Sequence, residues 1–233
     1  MTDLSGTFDD AGAAVIDFDK TLINKNISEG IGKRILLDQL VKLRPDNFIY
    51  GIKKSIEIKK VEKNGNEIEG LKDYFKVIGS KNIVTKEEYR KYARKVIERS
   101  ELDGARDFLK RLKEAYDLEI FIVTTSDGLS AQEAVSYFGA TDYAANPIVY
   151  DGEIVKGIVL NMYDGKTKLE CTNELLEKYG IKLKECIAVG DSERDHEIMK
   201  NSGFSFASPL ADEKTKEIAD WWIKNYKDFL KMI

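Results

Sequence analysis

The sequence predicts an α/β protein: a doubly wound parallel sheet interrupted after its first strand by an inserted α-helical domain. Three observations carry this. Short, fully apolar runs such as Ala13–Ile16, Ile120–Val123 and Ile187–Val189 stop abruptly at polar residues, as strands buried on both faces do. Amphipathic helical stretches alternate with those runs from Asp103 onward. Between Ser28 and Ala93, by contrast, apolar residues recur three and four apart. The division is therefore residues 1–23 and 103–233 as a Rossmann-like core, with 24–102 as a helical cap.

In chain order, Ala13–Ile16 is the first strand. Ile31, Ile35, Leu36, Leu40 and Leu43, and later Tyr89, Tyr92, Ala93 and Val96, mark three or four cap helices. Breaks fall at Pro45, Asn64–Gly65 and Gly79–Ser80, and Thr85-x-x-Glu88 reads as a capping box. Asp103–Tyr116 is a helix with Asp103 as its N-cap. Ile120–Val123 is the second strand and Ala131–Phe138 a helix closed by Gly139. Ile148–Val149 and Ile154–Val155 flank a hairpin turn at Asp151-Gly152. Lys166–Tyr179 is a helix ended by Gly180, a residue suited to a left-handed cap. Ile187–Val189, a helix at Asp195–Lys200 and a strand at Phe204–Ala207 follow. The tail, Asp212–Ile233, is expected to be helical and to pack through Trp221 and Trp222.

Composition excludes several classes. With 42% hydrophobic and 33% charged residues, the 233-residue chain can bury a core and is not generally disordered. No apolar run approaches the ~20 residues of a membrane span. Met1–Gly12 is acidic and polar, unlike a secretory signal. Cys171 and Cys186 form neither a disulfide framework nor a zinc motif. A cytoplasmic protein is expected. The net charge of −4 is divided: residues 24–102 hold 19 Lys and Arg against 12 Asp and Glu, and the remainder 18 against 29. A basic cap over an acidic core suits an anionic ligand. Because the basic residues alternate with glutamates and no groove-reading motif occurs, nucleic acid is not an expected partner.

Ligands of such sheets bind beyond the carboxyl ends of the strands. Three polar clusters stand there: Asp17-Phe18-Asp19-Lys20-Thr21, Thr124-Thr125-Ser126-Asp127-Gly128 and Gly190-Asp191-Ser192-Glu193-Arg194-Asp195. If the strands are neighbours, Asp17, Asp19, Asp191 and Asp195 converge. Clustered carboxylates repel one another unless cations offset them, and an all-oxygen set suits Mg²⁺.

These motifs resemble those of the haloacid dehalogenase superfamily of phosphohydrolases. A strand followed by Asp-x-Asp-x-Thr matches Asp17–Thr21, a strand followed by Thr or Ser matches Thr124, and a Lys opening a helix matches Lys168, with Lys166 the alternative. Gly-Asp followed four residues later by Asp matches Gly190, Asp191 and Asp195. The resemblance implies that Asp17 is the nucleophile, forming an aspartyl-phosphate, and that Asp19 is the general acid–base. It implies Mg²⁺ at Asp17, Asp19 (through its backbone carbonyl) and Asp191, supported by Asp195, with Thr124 and Lys168 stabilising the phosphoryl group. Thr125, Ser126, Asn26 and Lys166 are the further substrate- or phosphate-binding candidates. A halide leaves without a proton and an alkoxide needs one, so an acid at Asp19 favours phosphate esters over carbon–halogen bonds.

The cap placement is similar to that of phosphoserine phosphatases, with two departures. Nine residues after the nucleophile they carry a Glu for the substrate ammonium, where this chain has Asn26, and Glu29 is the nearest substitute. They also follow the motif-two residue with two glycines, where Thr125 and Ser126 stand. The expected activity is Mg²⁺-dependent hydrolysis of a small phosphorylated metabolite by a monomer or homodimer. Rival readings are phosphoserine specificity, a phosphotransferase or mutase on the same scaffold, and a binding module that no longer turns over. Three further residues have simpler readings: His196 as a partly exposed helix residue, Cys171 as inert, and the Lys53–Lys63 lysines as a solvated face.

Overall fold

The computed structural model describes residues 6, 8–9, 11–41, 49, 52–53, 67–80, 84–164 and 167–233. A six-stranded sheet runs in the order β3-β2-β1-β6-β7-β8, and every pairing in it is parallel. The strands are β1 (Ala13–Ile16), β2 (Glu119–Asp127), β3 (Asp142–Asn146), β6 (Cys186–Gly190), β7 (Phe204–Ala207) and β8 (Trp221–Trp222). The antiparallel hairpin of β4 (Ile148–Asp151) and β5 (Ile154–Ile158) stands apart from that sheet. The chain builds outward from β1 through β2 to β3, then returns to the other side of β1 for β6. The order therefore reverses between β1 and β6.

Alternation sorts the apolar residues onto two faces, since successive strand side chains point oppositely. Ala14, Ile16, Ile120, Ile122, Ile187 and Val189 join one core cluster; Ala13, Val15, Phe121, Val123, Cys186 and Ala188 join the other. Helix α4 (Ala105–Tyr116) covers the first face with Phe108, Leu109 and Leu112. The second is covered, beyond the short α6 (Asn161–Asp164), by Leu175 and Leu176 of α7 (Lys168–Glu177) and Ile198 and Met199 of α8 (His196–Asn201). Each such buried side chain contributes about 1.5–3 kcal/mol.

The insert supplies α1 (Ile27–Val41), α2 (Glu67–Ser80) and α3 (Lys86–Ser100) among the described residues. The Thr85 capping box is present, with Thr85 Oγ1 accepting from the Glu88 amide at 3.2 Å. Ile27, Ile31, Ile35, Phe75, Tyr89, Ala93 and Ile97 share the first face's core cluster, so apolar packing is continuous from sheet to insert. Arg94 of α3 bonds Glu133 of α5 (Gly128–Phe138) at 3.2 Å. The hairpin also packs on the insert: Val155 donates to the Val84 carbonyl and Lys86 to the Glu153 carbonyl. A Cβ on Gly79 would lie 2.0 Å from the Lys156 carbonyl oxygen, which explains a glycine at that helix end.

Several expectations are corrected. β2 continues through Thr124–Asp127 rather than stopping at Val123, because Asp127 pairs with Asn146 of β3 after a bulge. β3 itself, Asp142-Tyr143-Ala144-Ala145-Asn146, lacks the apolar run that marks the other strands. Asp103 does not cap α4: Gly104, at φ +86°, holds that position, and the Asp103 carboxylate pairs with Lys227 at 2.8 Å. The helix after Lys166 starts at Lys168, capped by the hydroxyl of Thr167, and Lys166 lies outside the described residues. The tail is not one helix. It forms α9 (Glu213–Ile218), the edge strand β8 and α10 (Tyr226–Phe229), because Trp221 and Trp222 pair with Phe206 and Ala207. His196 is buried, its Nε2 2.8 Å from Thr215 Oγ1. Of the Lys53–Lys63 lysines only Lys53 is described, and it is exposed.

Candidate active site

The strand order places the ends of β1, β2 and β6 side by side. Ile16 is in register with Ile122 on one side and Val189 on the other, and the Asp17 amide donates to the Val189 carbonyl at 2.9 Å. Asp17 and Asp191 thus leave the sheet together at its switch point, where doubly wound sheets bind ligands.

Lys168 organises the centre. Its Nζ lies 2.5 Å from Asp17 Oδ1 and 2.6 Å from Asp195 Oδ1, and all three side chains are buried. The other oxygen of Asp17 accepts the Thr21 hydroxyl at 2.9 Å. The other oxygen of Asp195 accepts the Asp191 and Ser192 amides at 3.0 and 3.2 Å. Asp195 thereby ties Lys168 to the loop after β6. Its fit requires Gly190, where a Cβ would come within 2.4 Å of Asp195 Cβ. Gly190→Ala is expected to displace Asp195 and destabilise the fold by about 1–3 kcal/mol, as overpacking does. Thermal unfolding checks this, and an unchanged midpoint would contradict it.

Asp17, Asp191 and Asp195 offer oxygens all within 4.8 Å of one another. Burial, and then repulsion by Asp195 against the pull of Lys168, leaves the Asp17 carboxyl raised to about 6. Burial with repulsion from Asp17 and Asp195 pushes Asp191 up to about 8. Burial alone would lower the Lys168 ammonium, but Asp17 and Asp195 raise it, so it stays charged. One ammonium among three carboxylates leaves net negative charge in a buried space. An all-oxygen, electron-rich donor set of this kind fits a hard divalent cation.

Asp19 stands beside this cluster, and its carboxylate is not among the three. Oδ1 accepts the Ile27 amide at 2.8 Å and Oδ2 the Ser126 hydroxyl at 2.5 Å. Burial raises it to about 7, against the lowering effect of the Ser126 bond. Between Asp19 and Thr21 the chain passes through Lys20 at φ +58°, a left-handed conformation costing ~1–3 kcal/mol at a non-glycine. Ser208 bonds the Lys20 carbonyl at 3.1 Å and Tyr226 the Thr21 carbonyl at 2.8 Å, which holds the turn.

The remaining candidates are placed differently. Thr124 is buried at the end of β2, its Oγ1 accepting the Ser126 amide at 3.1 Å. Thr125 is half-buried, and its carbonyl is pinned by Asn146 Nδ2 at 2.6 Å. Asn26 is exposed and caps α1, its Oδ1 accepting the Glu29 amide at 3.3 Å. Asp127 is fully buried rather than facing the crevice, bonded to the Tyr89 hydroxyl at 2.8 Å and to Ser130. Sequence reasoning left out Tyr89, Asn146, Ser208 and Tyr226 as supports. Of the supports, Thr21, Gly190 and Asp195 were signalled, by their places in the first and fourth motifs.

The model of the haloacid dehalogenase-like hydrolase family matches residues 11–203. A phosphoglycolate phosphatase of Methanothermobacter thermautotrophicus is 43% identical over 47 residues, 20% of this chain and 21% of that protein's length. A phosphoserine phosphatase in apo form superposes with a TM-score of 0.69 at 19% identity, over 96% of this chain and 99% of that one. A phospho-aspartyl intermediate analogue of phosphoserine phosphatase gives 0.68 at 21% identity, over 96% and 99%. At these identities the solved structures show a shared fold. Since the family match covers most of the chain and the acidic strand ends meet as such a site requires, this protein belongs to the haloacid dehalogenase-like hydrolases.

Proposed function

We propose that this hydrolase is a Mg²⁺-dependent phosphatase that cleaves a small phosphate monoester through an aspartyl-phosphate on Asp17. The observation that carries the reading is Lys168 Nζ at 2.5 Å from Asp17 Oδ1 within a cluster of three buried carboxylates. The ammonium holds the nucleophile's orientation and offsets charge on an incoming phosphoryl group. Asp17 Oδ attacks phosphorus as the ester oxygen leaves, and Asp19 delivers a proton to that oxygen. Asp19, then ionised, takes a proton from the water that attacks the phosphoryl-enzyme. Asp17 and Asp191, with Asp195 behind them and the Asp19 carbonyl, would hold Mg²⁺. When bound, the ion supplies positive charge to the phosphoryl oxygens and to the carboxylate cluster.

Residues 24–102 serve in this reading as a cap that selects the substrate. Its basic surplus, the Arg94–Glu133 pair and the shared apolar core support a cap held over the strand ends. Asn26, exposed and engaged in capping α1, supplies no carboxylate at the position where phosphoserine phosphatases carry one, which favours a substrate without an ammonium group, such as the phosphate of a short hydroxy acid. The partial likeness to a phosphoglycolate phosphatase agrees. Phosphate release from a panel of metabolite esters, with Mg²⁺ or a chelator, tests the reading. Release from a small ester that stops on chelation is expected, and none from any ester would contradict it.

A second test needs no substrate. The raised carboxyls of Asp17, Asp19 and Asp191 make the metal-free folded state bind more protons than the unfolded chain. Their contribution is therefore present at low pH and lost as pH rises from about 4 through about 8. The thermal midpoint of metal-free protein is expected to fall across that window. Added Mg²⁺ should raise it more at pH 8 than at pH 5, and an equal shift at both would contradict the assignment.

A further inference from the structure

Asp19 is gripped at both carboxylate oxygens, one by the insert and the other by the sheet. Ile27, which donates to Oδ1 at 2.8 Å, is the first residue of α1 in the insert. Ser126, which donates to Oδ2 at 2.5 Å, belongs to β2 of the sheet. Ser126 is only 4% exposed, and its amide donates to Thr124 Oγ1 at 3.1 Å, which fixes the backbone that carries the hydroxyl. The next residue, Asp127, is anchored by the Ser130 amide and hydroxyl at 2.8 and 2.7 Å and by the Tyr89 hydroxyl at 2.8 Å. Moving this end of β2 would break several bonds to a buried carboxylate, each costly to lose.

A serine that binds phosphate would present its hydroxyl to the crevice. This one is directed at Asp19 instead. The hydroxyl donates to Asp19 Oδ2, so the acidic proton lies away from Ser126 and free for the leaving oxygen, and the same bond strengthens once the carboxyl is ionised. Ser126 can therefore hold the plane of the Asp19 carboxyl before and after proton transfer.

We infer that Ser126 is a positioning residue for Asp19, setting the carboxyl that protonates the leaving oxygen rather than binding the phosphoryl group. The inference rests on the phosphatase reading above. No bond to Ser126 is made or broken: the proton passes from the Asp19 carboxyl to the departing ester oxygen, and the serine keeps its own.

The test compares two esters in the Mg²⁺-loaded enzyme. An alkyl phosphate needs a proton on its leaving oxygen, whereas nitrophenolate leaves as a stable anion. The ratio kcat/KM reports events up to formation of the phosphoryl-enzyme, so the later hydrolytic step does not enter. Ser126→Ala is expected to lower kcat/KM on the alkyl ester by about 10- to 100-fold more than on the nitrophenyl ester, the scale of a misplaced general acid. Ser126→Thr, which keeps the hydroxyl, should restore the wild-type ratio. If the alanine variant does not fold, Ser126→Cys, of similar shape and a far weaker donor, carries the same comparison. Equal losses on both esters, as a phosphate-binding hydroxyl would give, overturn the inference, and so does no loss on either. Wild-type protein that hydrolyses neither ester overturns the phosphatase reading itself, before any variant is made.

Discussion

Asp17→Asn is expected to reduce phosphate release by about 10⁴- to 10⁶-fold while the protein stays folded, since an amide is a poor nucleophile. The fold should tolerate the change for a reason visible in the site. Burial and the neighbouring Asp195 push the Asp17 carboxyl up to about 6, so its ionised form costs the metal-free protein stability near neutral pH. A neutral amide removes that cost, and Lys168 keeps Asp195 as a partner at 2.6 Å. The metal-free variant should therefore unfold at or above the wild-type temperature. Substantial turnover by pure variant, or a collapsed unfolding midpoint, would contradict the role given to Asp17.

Lys168→Met is expected to do the opposite to stability. It removes the ammonium that lies between Asp17 and Asp195 and leaves two buried carboxylates without it, at a cost of about 3–5 kcal/mol. Without the cation the Asp17 carboxyl, already raised by burial, shifts further upward in the folded state. The deficit should therefore be smaller at low pH, where Asp17 is protonated in the folded state, and should grow as pH rises through about 6. Turnover should be lost with it, because the phosphoryl group loses its protein cation. Denaturant unfolding at two pH values checks the stability claim, and equal stability of variant and wild type at pH 8 would contradict it.

Much of this architecture is legible in the chain because its signals are local. Ala13–Ile16, Cys186–Gly190 and Phe204–Ala207 are short apolar or small-residue runs that end at charge or Ser. The acidic strand ends follow them directly, so a parallel sheet brings Asp17, Asp191 and Asp195 together with no further information. What escaped the sequence depends on partners far along the chain. The Trp221-Trp222 pair becomes an edge strand only because β7 offers it a ladder. His196 is buried because Thr215 meets its ring. Asp142–Asn146 is strand despite its polar ends, because Phe121, Ile122 and Val123 present free backbone beside it. The same holds for the two bonds that shape the acid: Ser126 reaches Asp19 across 107 positions, and Tyr89 reaches Asp127 across 38. No spacing rule announces such contacts.

The hairpin is an intermediate case. Its turn at Asp151-Gly152, with Gly152 at φ +57°, is legible from the dipeptide. Its association with Val84 and Lys86, and with the Gly79 end of α2, is not, because nothing local says which layer an isolated two-stranded ribbon will cover. A cap boundary drawn at residues 24–102 therefore omits a piece of chain that packs against the insert.

The most direct test of the central claim is to trap the covalent intermediate. Protein mixed with Mg²⁺ and a radiolabelled phosphate ester, quenched in acid within the first turnover and digested, is expected to carry label on the peptide containing Asp17. The same experiment with Asp17→Asn should leave that peptide unlabelled. Label on another peptide, or rapid phosphate release from wild-type protein with no labelled peptide in the quenched sample, would contradict attack by Asp17.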